Sequence, residues 1–187
     1  MIAVSDDGQT VVPLLGGHHG ANQLAKKIVD VLGGMAAVTT SGDVRLGVSL
    51  DEPPLGYRLA DPARAKSVIA GLLAGASVSV KGPKIFDLPY LEDGEFQISV
   101  SEAPIEAREK ELVYHAQHYA LGVGCARGCS PDELENLARD SLANADISPE
   151  AVAAIGSLDL KADENAVRML AKTLNCLLYT SPSPRDA

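Results

Sequence analysis

Short apolar runs and stretches of helical spacing take turns along this chain. Val11–Leu15 is an apolar run leading into glycines and reads as a buried strand. Leu24, Ile28, Val31 and Leu32 then recur at helical spacing, and Gly33-Gly34 stops that helix. Ala36–Thr40 is a second strand, and the helical crossover between the two favours a parallel pair. Residues 43–59 read as loop, punctuated by Pro53-Pro54 and Gly56. Asp61-Pro62 supplies a cap and a first-turn proline to a helix whose apolar side is Val68, Leu72 and Leu73. Val78 with Val80, and then Phe96–Val100, mark two short strands.

After a charged stretch at Glu102–Lys110 the pattern resumes. Tyr119–Val123 reads as a strand, Gly124–Gly128 as a turn, and Ser130 as the start of a helix. Ser130-Pro131-Asp132-Glu133 has the cap, the first-turn proline and the acidic residue of a capping box. Leu134, Leu137 and Leu142 mark the buried side of that helix. A short helix at Ser148-Pro149-Glu150, a strand over Ala154–Leu160 and a last helix with Val167, Leu170, Ala171 and Leu174 inward complete it. The alternation predicts the α/β class: two small α/β domains, each with a strand–glycine turn–helix element, and mostly parallel sheets with flanking helices. The expected boundaries are a first domain over 1–101, a linker over 102–116 and a second domain over 117–176. Residues 177–187, ending in the Ser/Pro-rich LYTSPSPRDA, are expected to be a non-native tail outside the fold.

Composition narrows the functional classes. The chain has 187 residues, 46% hydrophobic and 22% charged, which is ordinary for a globular protein with a real core. No apolar run approaches the roughly 18 residues of a membrane span, and the first residues lack the basic start and apolar stretch of a signal peptide. The cytoplasm is the expected compartment. A net charge of −9 argues against nucleic acid or an anionic membrane as partner. An anionic ligand must therefore be held by local features. Three cysteines are too few for a disulfide framework.

The candidate chemistry sits in the glycine turns. In VPLLGGHHGAN, Gly16, Gly17 and Gly20 let the backbone approach a ligand closely, and the turn ends at a helix N-terminus that favours anions. His18 and His19 are two potential bases near neutral pH. The competing reading makes them half-exposed polar residues and Asn22 a helix cap. No Cys or carboxylate nearby completes a metal set, so no metal is expected. Thr39 and Thr40 end the second strand, where parallel sheets border a ligand crevice, or they are plain β-branched strand residues.

The second half offers Gly122-Val123-Gly124-Cys125-Ala126-Arg127-Gly128, whose glycine spacing departs from the dinucleotide fingerprint. Arg127 can pair with a ligand carboxylate or be an exposed surface charge. Cys125 and Cys129 are four apart and read as small buried side chains, with metal binding or reactivity the alternative. Lys161, at a strand end, is placed for a carboxylate. Asp163 and Glu164 suit the first turn of the last helix.

PLLGGHHGAN, AAVTT, LGVGCARGCS and LDLKADE, in this order, resemble the CbiG family of cobalt-precorrin-5A hydrolases. The first two resemble its central region. The last two resemble its C-terminal domain, which is shared with the CobE proteins. The resemblance spans about Ala3 to Leu174. It implies opening of the δ-lactone of cobalt-precorrin-5A, with release of acetaldehyde and formation of cobalt-precorrin-5B. It implies no cofactor, since cobalt enters with the substrate. Other corrin-pathway enzymes, such as a precorrin methyltransferase, are implied as partners. In that chemistry His18 or His19 is the base. Turn N–H groups, Thr39 and Thr40 serve the oxyanion. Gly16, Gly17, Gly20, Asn22, Gly122, Gly124, Arg127, Gly128, Lys161 and Glu164 bind the substrate and its carboxylate arms. Relatives carry a preceding N-terminal segment, so the first domain is expected to be incomplete. The alternative is a non-catalytic corrinoid-binding module of the CobE kind.

Overall fold

The computed structural model describes residues 1–16, 20–38 and 46–182. In chain order they form β1 (Ile2–Val4), β2 (Thr10–Pro13), α1 (Ala21–Leu32), β3 (Met35–Ala36), β4 (Tyr57–Leu59), α2 (Pro62–Leu73), β5 (Val78–Lys81), β6 (Phe96–Ser101), β7 (Glu111–Ala116), β8 (Tyr119–Gly122), α3 (Pro131–Asn144), β9 (Val152–Leu158), α4 (Asn165–Thr173) and β10 (Leu177–Ser181). Single 3-10 turns, Pro149–Ala151 and Asp159–Lys161, flank β9. The chain is divided between two compact units. Unit 1 comprises Met1–Pro54, Asp61–Ile98 and Glu109–Leu112, and unit 2 comprises Leu55–Ala60, Ser99–Arg108 and Val113–Ala187.

In unit 1, β2 lies between β1, its antiparallel neighbour, and β3, its parallel one. Val11 of β2 is fully buried against Ala25 and Val29 of α1. The helix therefore packs on Ala21, Ala25 and Val29. Of the expected face, Ile28 packs partly buried against this cluster, while Leu24, Val31 and Leu32 are exposed. Small residues let a helix lie close to a sheet, and here the alanines win the contact that the leucines were expected to make. Gly34 is required by a close approach, because a Cβ there would stand 2.5 Å from the Gln9 carbonyl oxygen. Asp61 caps α2 as its sequence implies, accepting the Ala63 N–H at 3.0 Å, with Pro62 in the first turn. Ala65, Val68 and Leu72 form its buried side. β5 joins the same unit, and the turn before β6 crosses it so closely that a Cβ on Gly94 would meet the Ser79 nitrogen at 2.1 Å.

Unit 2 is built on a fully parallel sheet of order β10-β9-β8. Leu121, Ile155 and Leu178 stand in register on one face. They meet Leu134, Ala138 and Leu142 of α3, Val167, Leu170 and Ala171 of α4, and Leu174 just beyond it. Ala138 takes the inward position expected of Leu137, which is exposed. On the other face of the same strands Gly122 and Gly156 pair in register and a Cβ on either would meet nothing. β4 pairs antiparallel with β7, Arg58 opposite His115.

Three expectations change. The sheets are only partly parallel, since β1–β2 and β4–β7 run antiparallel. The segment expected as a linker holds β7, all six residues of which are buried. Glu111 and His115 interrupt its apolar pattern, yet both are buried, so the strand is covered on both faces and shows no alternation. The segment expected as a tail holds β10, which pairs with β9 over Leu177–Ser181. Proline, which cannot donate to a ladder, follows immediately at 182.

Candidate functional site

The turn of unit 1 runs from β2 to α1. Gly16 and Gly20 both take positive φ, 83° and 82°, as the turn requires. Gly20 occupies the cap position of α1, and the Ala21 N–H reaches back to the Gly16 carbonyl at 3.0 Å. Asn22 is therefore not the cap. It lies in the first helical turn and is buried. The Gly20 N–H points at Glu52 Oε1, 3.4 Å away. Beside the turn lies an open hollow of about 440 Å³, lined mainly by Met1, Ile2, Leu15, Gly16, Leu24 and Ile28. Gly17, His18, His19, Thr39 and Thr40 fall outside the described residues, so the proposed base and hydroxyls have no stated geometry.

Unit 2 brings four of the sequence candidates together. The loop after β8 and the turn after β9 face one another across the buried carboxylate of Glu164. Glu164 Oε1 accepts the Gly128 N–H at 3.1 Å. Its Oε2 lies 3.7 Å from Arg127 Nη1 and 4.0 Å from Lys161 Nζ. Arg127 also donates to Asp163 Oδ1 at 2.7 Å and to the Leu160 carbonyl. The Arg127 hydrogen bond holds the Asp163 carboxyl below its ordinary range. Arg127, Gly128, Lys161 and Glu164 thus first serve to join the loop to the start of α4. Arg127 keeps 59% of its side chain exposed while both terminal nitrogens are engaged. The predicted capping box does not form. Ser130 is the cap of α3 but makes no side-chain bond, and Glu133 lies 3.8 Å from Cys129 Sγ as its acceptor.

At the carboxyl ends of β8, β9 and β10 lies a second cleft of about 440 Å³. Gly122 and Gly156 form its floor and Tyr179 and Leu158 stand beside it. Ligands of open parallel sheets bind outside such strand ends. Gly124 follows in the loop, where a Cβ would also meet nothing. Gly156 is a residue the sequence reading passed over, although a glycine within a strand is itself a signal of close approach.

Two further polar clusters in unit 2 were not legible in the sequence. Glu102 accepts the Tyr119 hydroxyl at 2.6 Å and binds His118 Nδ1 at 2.6 Å. These contacts, Tyr119 first, lower the Glu102 carboxyl from its ordinary value. His115 is buried, with Nδ1 3.0 Å from the Ser101 carbonyl and Nε2 3.5 Å from Ser148 Oγ. Burial pushes its imidazole below the ordinary value. Ser148 is buried too and donates to Glu150, so this trio braces the fold and offers no accessible nucleophile. Among the described residues there is no group of three or more His, Cys, Asp or Glu side chains able to hold a metal, and no helix long and apolar enough to cross a membrane.

Both candidate regions fall in segments that match family models. The model described as "Cobalamin synthesis G N-terminal" matches residues 1–43, and the one described as "Cobalamin synthesis G C-terminus" matches residues 119–184. The chain is 24% identical to a cobalt-precorrin-5A hydrolase of Priestia megaterium, over 97% of this chain and 56% of that protein. It is 27% identical to one of Salmonella typhimurium, over 91% of this chain and 55% of that protein. A solved structure of a cobalamin biosynthesis protein G homologue from Sulfolobus solfataricus shares 19% identity and a TM-score of 0.36, over 96% of this chain and 55% of that one. The chain spans about half the length of the curated relatives it matches.

Proposed function

The chain belongs to the cobalamin synthesis G family, and from that premise we propose that its gene product hydrolyses the δ-lactone of cobalt-precorrin-5A. The products are cobalt-precorrin-5B and acetaldehyde. The observation that carries this reading is the paired match: one family's N-terminal and C-terminal models fall, in order, on the two segments that hold the glycine turns.

Lactone opening needs a water made nucleophilic and a donor for the oxygen that becomes negative at the tetrahedral stage. His18 or His19 takes the proton from water. N–H groups of the turn, or Thr39 and Thr40, receive the oxyanion. The same imidazole, now protonated, returns a proton as the two-carbon unit leaves. Gly16, Gly17, Gly20 and Asn22 shape this turn. In unit 2, Gly122 and Gly124 keep the sheet end free of side chains, so that a flat ring edge can lie against it. Arg127 takes a carboxylate arm while it stays bonded to Asp163. Lys161, Gly128 and Glu164 hold that arginine and its loop in place. The cobalt arrives with the substrate. The reaction belongs in the cytoplasm, alongside other corrin-pathway enzymes such as a precorrin methyltransferase.

The test uses the complete gene product with cobalt-precorrin-5A and follows acetaldehyde. His18→Ala or His19→Ala is expected to lower turnover by about 100-fold or more, the usual contribution of a general base. Unchanged turnover in both variants removes histidine from the mechanism. Tight corrinoid binding without acetaldehyde points instead to a non-catalytic binding module.

A further inference from the structure

His118 and Glu102 form a pair that the proposed hydrolysis does not use. His118 lies in the turn between β7 and β8, where its N–H closes onto the Ala116 carbonyl at 3.1 Å. Its Nδ1 stands 2.6 Å from Glu102 Oε1, and the Tyr119 hydroxyl donates to Glu102 Oε2 at 2.6 Å. Both carboxylate oxygens are thereby engaged. The Glu102 main chain is held as well, since its carbonyl accepts the Ser148 N–H at 2.8 Å. The bonds from Tyr119 and His118 favour the ionised carboxylate. An ionised carboxylate only accepts, so Nδ1 carries the proton and donates it. In the neutral imidazole the lone pair then belongs to Nε2. Among the described residues nothing is hydrogen-bonded to His118 Nε2, and the side chain is 61% exposed. His115, the other described histidine, is buried with Nε2 against Ser148.

A histidine bonded to a carboxylate through one nitrogen and bare at the other has the arrangement of a metal ligand. The carboxylate fixes ring and tautomer and raises the basicity of the ligating atom. A free ion needs three or more such ligands, and the described residues hold no group of that kind. A cobalt ion already held by four ring nitrogens needs far less. The macrocycle fills its equatorial positions, and a single protein atom completes an axial one. Granted the corrinoid substrate proposed for this protein, we propose that His118 Nε2 is an axial ligand to the substrate's cobalt, with Glu102 as its positioning residue. Nε2 donates its lone pair and displaces a water or fills a vacant axial position. The Nδ1 proton stays on the bond to Glu102, and the cobalt keeps its oxidation state. Extended chain covering about 13 Å separates His118 from Gly122, a span within reach of a macrocycle and its carboxylate arms. Ligation holds the ring by its metal and leaves the lactone and every arm free for other groups.

The experiment adds cobalt-precorrin-5A, with its cobalt in the divalent low-spin state, to the complete gene product and records electron paramagnetic resonance at saturation. The unpaired electron lies along the axial direction, so one axial nitrogen splits each cobalt line in three. That splitting is expected in the wild-type protein. Labelling the protein throughout with the heavy nitrogen isotope is expected to turn each triplet into a doublet. No splitting, or triplets unchanged by labelling, overturns the proposal irrespective of any variant. His118→Ala is expected to lose the splitting and to regain it when free imidazole is added, while His18→Ala and His19→Ala keep it. Splitting that survives in a His118→Ala protein shown by circular dichroism to be folded overturns the proposal. Glu102→Gln keeps an acceptor for Nδ1 without the charge and is expected to weaken corrinoid binding by about 10-fold. Equal weakening by Glu102→Gln in the His118→Ala background denies that Glu102 acts through His118. Acetaldehyde followed in the same samples separates the two readings. Acetaldehyde without splitting overturns the ligation alone, and splitting without acetaldehyde supports the ligation and overturns the hydrolysis.

Discussion

Replacing Glu164 separates the role that the structure gives it from any role in substrate binding. Its side chain is 7% exposed and accepts the Gly128 N–H at 3.1 Å. Glu164→Ala removes the acceptor of that N–H, a hydrogen bond to a charged group worth about 1.5–3 kcal/mol net. The two cations at 3.7 Å and 4.0 Å are beyond hydrogen-bond distance. Arg127 keeps its bond to Asp163. Losing those long pairs therefore adds only a few tenths of a kcal/mol each. A total of about 2 kcal/mol of local opening energy corresponds to roughly 30-fold faster amide exchange at Gly128, at about 1.4 kcal/mol per factor of ten. Glu164→Gln keeps an oxygen for the Gly128 N–H and loses only the charge, so about 0.5–1 kcal/mol and an increase of at most roughly 5-fold are expected. Hydrogen exchange followed by NMR reads both variants at the one amide concerned. If alanine and glutamine speed Gly128 exchange equally, the carboxylate is not the loop's anchor. If both leave exchange unchanged while weakening corrinoid binding, Glu164 belongs to the substrate alone.

Three further outcomes follow from particular contacts. Gly94→Ala places a Cβ 2.1 Å from the Ser79 backbone nitrogen, and urea unfolding is expected to show a loss of about 1–3 kcal/mol or more; a midpoint equal to wild type contradicts that approach. His115 has a folded pKa below its ordinary 6.5 because it is buried, so the folded state binds fewer protons there. Its contribution is whole above about pH 6.5 and declines as pH falls below that value, and His115→Gln is expected to flatten this acid-side slope in urea midpoints measured across pH; an unchanged slope refutes it. Glu102 has a lowered pKa through Tyr119 and His118, so its contribution is present above the ordinary carboxyl value and is lost as pH falls through the folded one. Tyr119→Phe is expected to raise the Glu102 pKa seen by NMR titration, and no movement would deny the bond.

The parts of the fold legible in the sequence are those whose signals are local. Asp61-Pro62 starts α2, Gly33 ends α1, and Leu134, Leu142, Val167 and Leu170 are inward as their spacing implies. The turn residues Arg127, Gly128, Lys161 and Glu164 were singled out separately, and the fold brings them to one place. What escaped depends on contacts distant in sequence. β7 is buried on both faces, with Glu111 and His115 inside, so it lacks the period of two. β4 has three residues and exists through its pairing with β7. The orientation of α1 is not legible because Ala21 and Ala25, small enough for close packing, carry little hydrophobic signal beside Leu24 and Leu32. The Glu102, His118 and Tyr119 cluster joins a loop residue to a strand start, and no spacing rule connects them. For the histidine turn the sequence remains the source of the argument, since His18 and His19 lie outside the described residues.

The proposed reaction is the opening of a cobalt-corrinoid lactone. The most direct measurement is the acetaldehyde released when the complete gene product is mixed with cobalt-precorrin-5A, set beside the mass of the corrinoid product. The account predicts acetaldehyde appearing in step with a corrinoid that has lost the two-carbon unit and gained a water-derived carboxylate. A well-folded protein that binds the corrinoid and leaves both its mass and the acetaldehyde level unchanged would contradict it.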